Sequence, residues 1–223
     1  MSADSRDASR AAAGADRTRR LLRLLLSRID AADVYGVKLG AHLMTLHALA
    51  RHARGPIVEC GVGSGFSTLA LLAGAAEAQT TLTSYDIKGD AHAAALRTWQ
   101  LDQADPLLDH WTFVQKPSET AATDWAGKSV GLLFLDTCHF YTETRRELEA
   151  WAPRMASDGV LCGHDYLLHL DPIWTATGVK RAVDQFVAQS SYYTLQVVRR
   201  DHGLFILWPA ATPDASGSSG VVV

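Results

Sequence analysis

The chain has 223 residues, 48% of them hydrophobic and 20% charged, with a formal net charge of −3. That length supports one well-buried α/β domain and is short for two, and the composition is that of a globular protein. The slight negative charge gives no pull towards nucleic acid or an anionic membrane, and no apolar run approaches the roughly 20 residues a bilayer span needs.

Residues 1–16, rich in Ala, Arg and Ser, are expected to be a flexible tail; Asp4, Asp7 and Asp16 argue against a transit peptide, which avoids acids. A single domain is expected over 17–208, with a helical cap at 17–54 and the core at 55–208. The cap holds two helical stretches, 17–33 and 39–54. In the first, Leu22, Leu25, Leu26 and Ile29 recur at helical spacing among Arg19, Arg20, Arg23 and Arg28, an amphipathic pattern. His42, His47 and His52 recur every five residues in the second, so they do not share a helical face and read as ordinary surface or core residues.

The core opens with a short apolar run, Ile57–Cys60, that enters a glycine turn. A helix is expected at 66–77, a strand at 81–86 ending in Asp86, a helix at 91–104 and a strand at 111–115. Val130–Leu135 is a continuous apolar strand, as in the middle of a parallel sheet covered on both faces. A helix at 143–152, a strand at 160–162 and a helix at 178–189 follow. Strands at 193–198 and 204–208 are joined by a spacing that suits a hairpin. Residues 209–223 have the small polar composition of a linker. The fold class is α/β: a Rossmann-like, doubly wound, mostly parallel sheet with a C-terminal antiparallel hairpin strand and a helical N-terminal extension. Cys60, Cys138 and Cys162 lie in apolar segments and are expected to be reduced, buried thiols of a cytoplasmic protein.

In open parallel sheets ligands sit beyond the carboxyl ends of the strands. The first strand ends Glu59-Cys60-Gly61-Val62-Gly63-Ser64-Gly65-Phe66-Ser67. Glycines let the backbone turn tightly and approach a ligand closely, and the next helix offers unpaired N–H groups. A dinucleotide motif needs a third small residue where this chain has Phe66, and Glu59 would repel a pyrophosphate. The same carboxylate would attract the ammonium and sulfonium charges of S-adenosylmethionine (SAM).

The E-x-G-x-G-x-G turn resembles motif I of class I SAM-dependent methyltransferases, and the similarity extends over most of 36–208. By that resemblance Glu59, Gly61 and Gly63 line the methionine end of SAM, Ser67 caps the helix near it, and Asp86 holds the ribose hydroxyls. Ser118 matches a position that contacts adenine in catechol-type O-methyltransferases, although Lys116 and Pro117 depart from the pattern around it. The alternative is that Gly61–Gly65 is merely a tight β–α turn.

The fourth strand ends Asp136-x-x-His139-x-Tyr141 and the fifth ends His164-Asp165-Tyr166. This pairing resembles metal-dependent sugar and natural-product O-methyltransferases of the macrocin and cephalosporin-biosynthesis type. The resemblance implies Asp136 and Asp165, with His164 beside them, as ligands of Mg²⁺ or Mn²⁺, and His139 as general base. Tyr141, Tyr166 and Trp174 would face the acceptor, Trp174 from a lid over 167–175 or from a plain covering loop. His164 stands where an oxygen ligand is typical: the metal is softer, or His164 stands behind the ligands, or no metal binds. Asp136 could instead cap the following helix, with Thr142 and Thr144 better placed to do so. Cys138, Cys162, His139 and His164 could form a zinc cluster, against which stands the lack of a C-x-x-C pair.

The function expected is SAM-dependent O-methylation of a small-molecule hydroxyl, on a sugar or secondary metabolite, assisted by a divalent cation and a His base. A nicotinamide-dependent oxidoreductase and a catalytically silent SAM-binding scaffold are the alternatives, because this architecture hosts many chemistries. The two N-terminal helices offer a face for homo-oligomer formation.

Overall fold

The computed structural model describes residues 33–34, 37–38, 40–102, 104–168, 177–200 and 202–210. The expected helix over 17–33 lies outside them except for Asp33, as do Trp174 and nearly all of both tails. Asp33–Val34 and Val37–Lys38 form a two-residue antiparallel ladder.

The remaining elements alternate. In chain order they are α1 (Gly40–Arg51), β1 (Ile57–Cys60), α2 (Phe66–Glu77), β2 (Leu82–Asp86), α3 (Ala91–Trp99) and β3 (Trp111–Gln115). Then come α4 (Ser118–Asp124), β4 (Val130–Leu135), α5 (Tyr141–Trp151), β5 (Met155–Gly163), α6 (Val179–Ala188), β6 (Tyr193–Val198) and β7 (Leu204–Pro209). One seven-stranded sheet runs in the order β3-β2-β1-β4-β5-β7-β6. Pairings among the first five are parallel, while β7 runs antiparallel to both β5 and β6. This is the doubly wound, mostly parallel sheet with a closing hairpin that the sequence predicts. Strand order reverses between β1 and β4, so a crevice opens at their carboxyl ends.

Burial explains why the two central strands read as they do. Every residue of β1 and of β4 is buried; β4 carries the continuous apolar run of such strands, and β1 departs from it only at Glu59. Nine successive residues of α2, Thr68–Ala76, are also buried. That helix lies between the sheet and α1, and its small residues permit the approach: a Cβ on Gly74 would stand 2.5 Å from Ala50 Cβ. Trp99 Nε1 donates to Gly65 O at 2.7 Å and fastens α3 to the glycine turn.

Some boundaries shift. The helix expected over 91–104 stops at Trp99, where Gln100 adopts φ 54° and a 3₁₀ turn, Pro106–His110, follows with its first turn capped by Asp105. Helix α4 was not expected; Pro117 precedes it and suits a helix start. Strand β5 begins at Met155 rather than 160, and Pro209 closes β7 rather than opening a tail.

Candidate active site

The glycine turn is held from two sides. Gly61 has φ 94°, and a Cβ there would lie 1.9 Å from Asp136 O, so only glycine lets β1 and β4 leave the sheet side by side. Gly63 also has a positive φ, 52°, but its Cβ would point into open space. The backbone N–H groups of Val62 and Gly63 donate to Asp86 Oδ2 at 2.9 and 3.2 Å, and Lys88 N–H donates to Oδ1 at 2.8 Å. The acid ending β2 is thereby locked to the turn ending β1, with lone pairs left over for hydroxyl donors.

Beside these groups lies a cavity of about 430 Å³, large enough for a cofactor. Gly61, Gly63, Asp86, Ser118, Asp136 and Glu147 line it, together with Ile87, an apolar side chain 68% exposed. Ser118 Oγ accepts from Trp151 Nε1 at 3.1 Å, which fixes the start of α4 at the cavity wall.

Two expected cofactor contacts need correction. Glu59 is fully buried beneath the turn rather than in the cavity wall. Its Oε1 accepts from Ser67 Oγ at 2.8 Å and its Oε2 from Ser84 Oγ at 2.6 Å. Burial pushes its carboxyl up to about 7, against the lowering by those hydroxyls. Ser67 is likewise no helix cap: Gly65 occupies the N-cap position, and Ser67 spends its hydroxyl on Glu59. Both residues brace the turn from behind.

At the ends of β4 and β5 acids and imidazoles converge. Asp165 takes φ 63°, a left-handed conformation that a short polar side chain tolerates and that turns its carboxylate back among the histidines. His139 Nδ1 lies 2.8 Å from Asp165 Oδ2. His164 Nδ1 lies 3.1 Å from Asp165 Oδ1 and 3.9 Å from Asp136 Oδ1, and His202 Nδ1 lies 3.4 Å from Asp165 Oδ1. Burial favours the neutral acid at Asp165, but hydrogen bonds to His139 and His164 outweigh it and hold the carboxyl well below its ordinary range. Asp136 shows the opposite balance: burial pushes it up to about 6, only partly offset by His164. The hydrogen bond to Asp165 raises His139 above the usual imidazole value.

One ligand atom each from Asp136, His164 and Asp165 lies within 4.8 Å of the others. Ligand atoms about 2.1 Å from a common cation stand roughly 3.0–3.5 Å apart, so this set, spread over as much as 4.8 Å, would have to draw together to coordinate one ion. Two carboxylates and one imidazole nitrogen fit a divalent cation of the Mn²⁺ or Zn²⁺ kind better than Mg²⁺. Asp136 belongs to both places, lining the large cavity and a small space of about 10 Å³ shared with His139, His164 and Asp165.

Tyr141 and Tyr166, expected against the acceptor, line neither space. Tyr141 OH donates to Gln185 Oε1 at 2.6 Å and Tyr166 OH to Asp184 Oδ1 at 2.5 Å, so Tyr141 ties α6 to the start of α5 and Tyr166 ties it to the segment after β5. The start of α5 has no side-chain cap: Asp136 lies before it, and Thr144 Oγ1 donates to Phe140 O. The cysteines are free; Cys60 and Cys162 are buried, but Cys138 is half-buried.

Three residues at the site, His42, Glu147 and Ile87, were not singled out by the sequence. His42 is 2% exposed and shares a 2.9 Å hydrogen bond between its Nδ1 and His164 Nε2, so it is no ordinary core residue. His47 is buried too, 3.0 Å from Glu77 Oε1. Glu147 receives Thr137 Oγ1 at 2.8 Å and is pushed up to about 7 by burial. Its signal was present: an acid on the same face of α5 as Thr144, Leu148 and Trp151. Ile87, directly after Asp86, is the third.

The glycine turn, the acid ending β2 and the strand order are those of the class I methyltransferase fold. Residues 58–166, which hold the glycine turn, Asp86, Asp136 and Asp165, match the family model described as a methyltransferase domain. The fold agrees with solved structures at low identity. A protein from Corynebacterium glutamicum is 20% identical with a TM-score of 0.66, over 91% of this chain and 92% of that one. The O-methyltransferase TomG from Streptomyces achromogenes, involved in tomaymycin synthesis and solved with SAM, is 17% identical with a TM-score of 0.63, over 83% and 89%. An O-methyltransferase from Bacillus cereus, solved with S-adenosylhomocysteine, is 13% identical with a TM-score of 0.60, over 86% and 90%. No curated protein matches the sequence significantly. That match favours a methyltransferase over the nicotinamide-dependent alternative. Among the described residues no helix is long and apolar enough to cross a membrane.

Proposed function

We propose that the protein transfers the methyl group of SAM to a hydroxyl of a small molecule, a sugar or secondary metabolite, with a divalent cation and a His base. The observation that carries this is the position of Asp136, which joins the cofactor-sized cavity to the cluster of Asp165, His139 and His164. A hydroxyl placed there meets carboxylates, imidazoles and the methyl donor's cavity at once.

In this reading Gly61, Gly63 and Asp86 seat the cofactor, with Ser118 at its far wall. Asp136, His164 and Asp165 would hold the cation, which lowers the pKa of an alcohol or phenol. Asp165 orients His139 through Nδ1, so that Nε2 is the nitrogen that takes the acceptor's proton. In-line placement of the acceptor oxygen then does most of the remaining work, since methyl transfer needs no covalent intermediate with the protein. The three free thiols suit a reducing, cytoplasmic setting.

A SAM-dependent activity screen over hydroxylated glycosides and phenols, with and without EDTA, tests the proposal. Turnover of a hydroxylated acceptor that EDTA suppresses is expected. SAM binding with no turnover of any acceptor would favour the silent SAM-binding scaffold.

A further inference from the structure

A hydrogen-bond chain from outside the motifs reaches the cluster. We infer that His42 is a positioning residue that fixes the ring of His164 with a hydrogen on Nε2 and Nδ1 turned towards Asp136 and Asp165. His164 is thereby a nitrogen ligand of the cation. The inference rests on the proposed cation site and assigns it a supporting residue on α1, 122 positions from His164 in the chain.

The chain starts at a backbone carbonyl. His42 Nε2 lies 2.9 Å from Arg200 O, and a carbonyl oxygen only accepts, so the hydrogen sits on His42 Nε2. Neutral His42 then has a lone pair at Nδ1. The partner of that nitrogen, 2.9 Å away, is His164 Nε2, which must therefore donate. The two rings meet edge to face, 76° apart with centroids 4.9 Å from each other, a geometry in which an N–H of one can point at a lone pair of the other.

With Nε2–H committed to His42, the nitrogen of His164 that faces the acids is Nδ1, 3.1 Å from Asp165 Oδ1 and 3.9 Å from Asp136 Oδ1. In the absence of a cation Nδ1 can hydrogen-bond to Asp165; a divalent cation held by the two carboxylates would displace that hydrogen and take the Nδ1 lone pair. Imidazole ligands of metals regularly donate their second nitrogen to an outer partner that sets ring orientation and basicity, and here that partner is another imidazole. The device is rigidly mounted. His42 is 2% exposed on a helix packed along α2, and Arg200 lies in the β6–β7 connection.

The test uses the full chain and bare cations. Mn²⁺ affinity is measured by titration for the wild type, His42→Phe, which keeps a ring but loses the acceptor, and His42→Asn, which places an amide oxygen near the Nδ1 position. His42→Phe should bind Mn²⁺ about 10–100-fold more weakly, and His42→Asn should recover most of that loss. In Zn²⁺-loaded wild type, ¹⁵N NMR should show the hydrogen of His164 on Nε2 and none on Nδ1. The NMR arm needs no variant, so it stands even where His42→Phe fails to fold. Mn²⁺ binding unchanged in folded His42→Phe, or His164 lacking a hydrogen on Nε2, overturns the role of His42 and leaves the cation site standing. A wild type that binds neither Mn²⁺ nor Zn²⁺ overturns the cation site and this inference with it.

Discussion

Asp86 Oδ2 accepts the backbone N–H of Gly63 at 3.2 Å, so the acid that ends one strand is bonded to the turn that ends its neighbour. The two glycines of that turn then separate into different roles. Gly61→Ala puts a Cβ against Asp136 O and should destabilise or unfold the domain. Gly63→Ala meets no protein atom, and its left-handed backbone costs about 1–2 kcal/mol, so it should fold and yet lose SAM affinity by crowding the cavity. Asp86→Ala should weaken SAM by about 1–3 kcal/mol. Calorimetric titration beside thermal melting separates these outcomes; full SAM affinity in both folded variants would remove the cofactor assignment.

Glu59 gives a pH dependence of defined sign. Its carboxyl stands at about 7 in the folded protein against 4.5 ordinarily, with burial the first cause. A raised pKa means folding favours the protonated form. The contribution is complete below about pH 4.5 and is lost progressively as pH rises through about 7, to a total of roughly 3 kcal/mol. Glu59→Gln stays neutral throughout, so its melting temperature should gain on the wild type between about pH 5 and 8. A constant difference across that range would mean the wild-type carboxyl is already ionised.

Removal of the cation should separate binding from turnover. After dialysis against EDTA, SAM should still bind, because Gly63 and Asp86, which seat it, are not among the proposed cation ligands Asp136, His164 and Asp165. Turnover should fall, and Mn²⁺ should restore it better than Mg²⁺, given the nitrogen of His164. Undiminished turnover in excess EDTA would leave the acids another purpose.

His139→Ala should lower kcat by about 10²–10⁴-fold and leave SAM affinity near wild type. His164→Ala should instead act first on cation affinity. Should His139→Ala keep its turnover while His164→Ala is dead with cation affinity intact, the base lies at the end of β5 and not of β4.

The fold and the cofactor turn are legible in the sequence because their causes are local. An unbroken run such as Val130–Leu135 states its own burial, and Gly61 and Gly63 announce backbone conformations that other residues resist. Asp86, Asp136 and Asp165 can be found by their place at strand ends, since parallel strands deliver those ends to one edge. What the sequence by itself determined was therefore the class of fold, the cavity's main residues and the acids beside it. It misplaced Glu59 and Ser67, which look like ligand contacts in a motif but lie under the turn, because depth below a surface has no periodicity. It passed over His42, whose significance is a distance to His164 across 122 residues. Only tertiary structure decides which of many polar side chains meet, because hydrogen bonds between remote elements are short-ranged and leave no spacing in the chain.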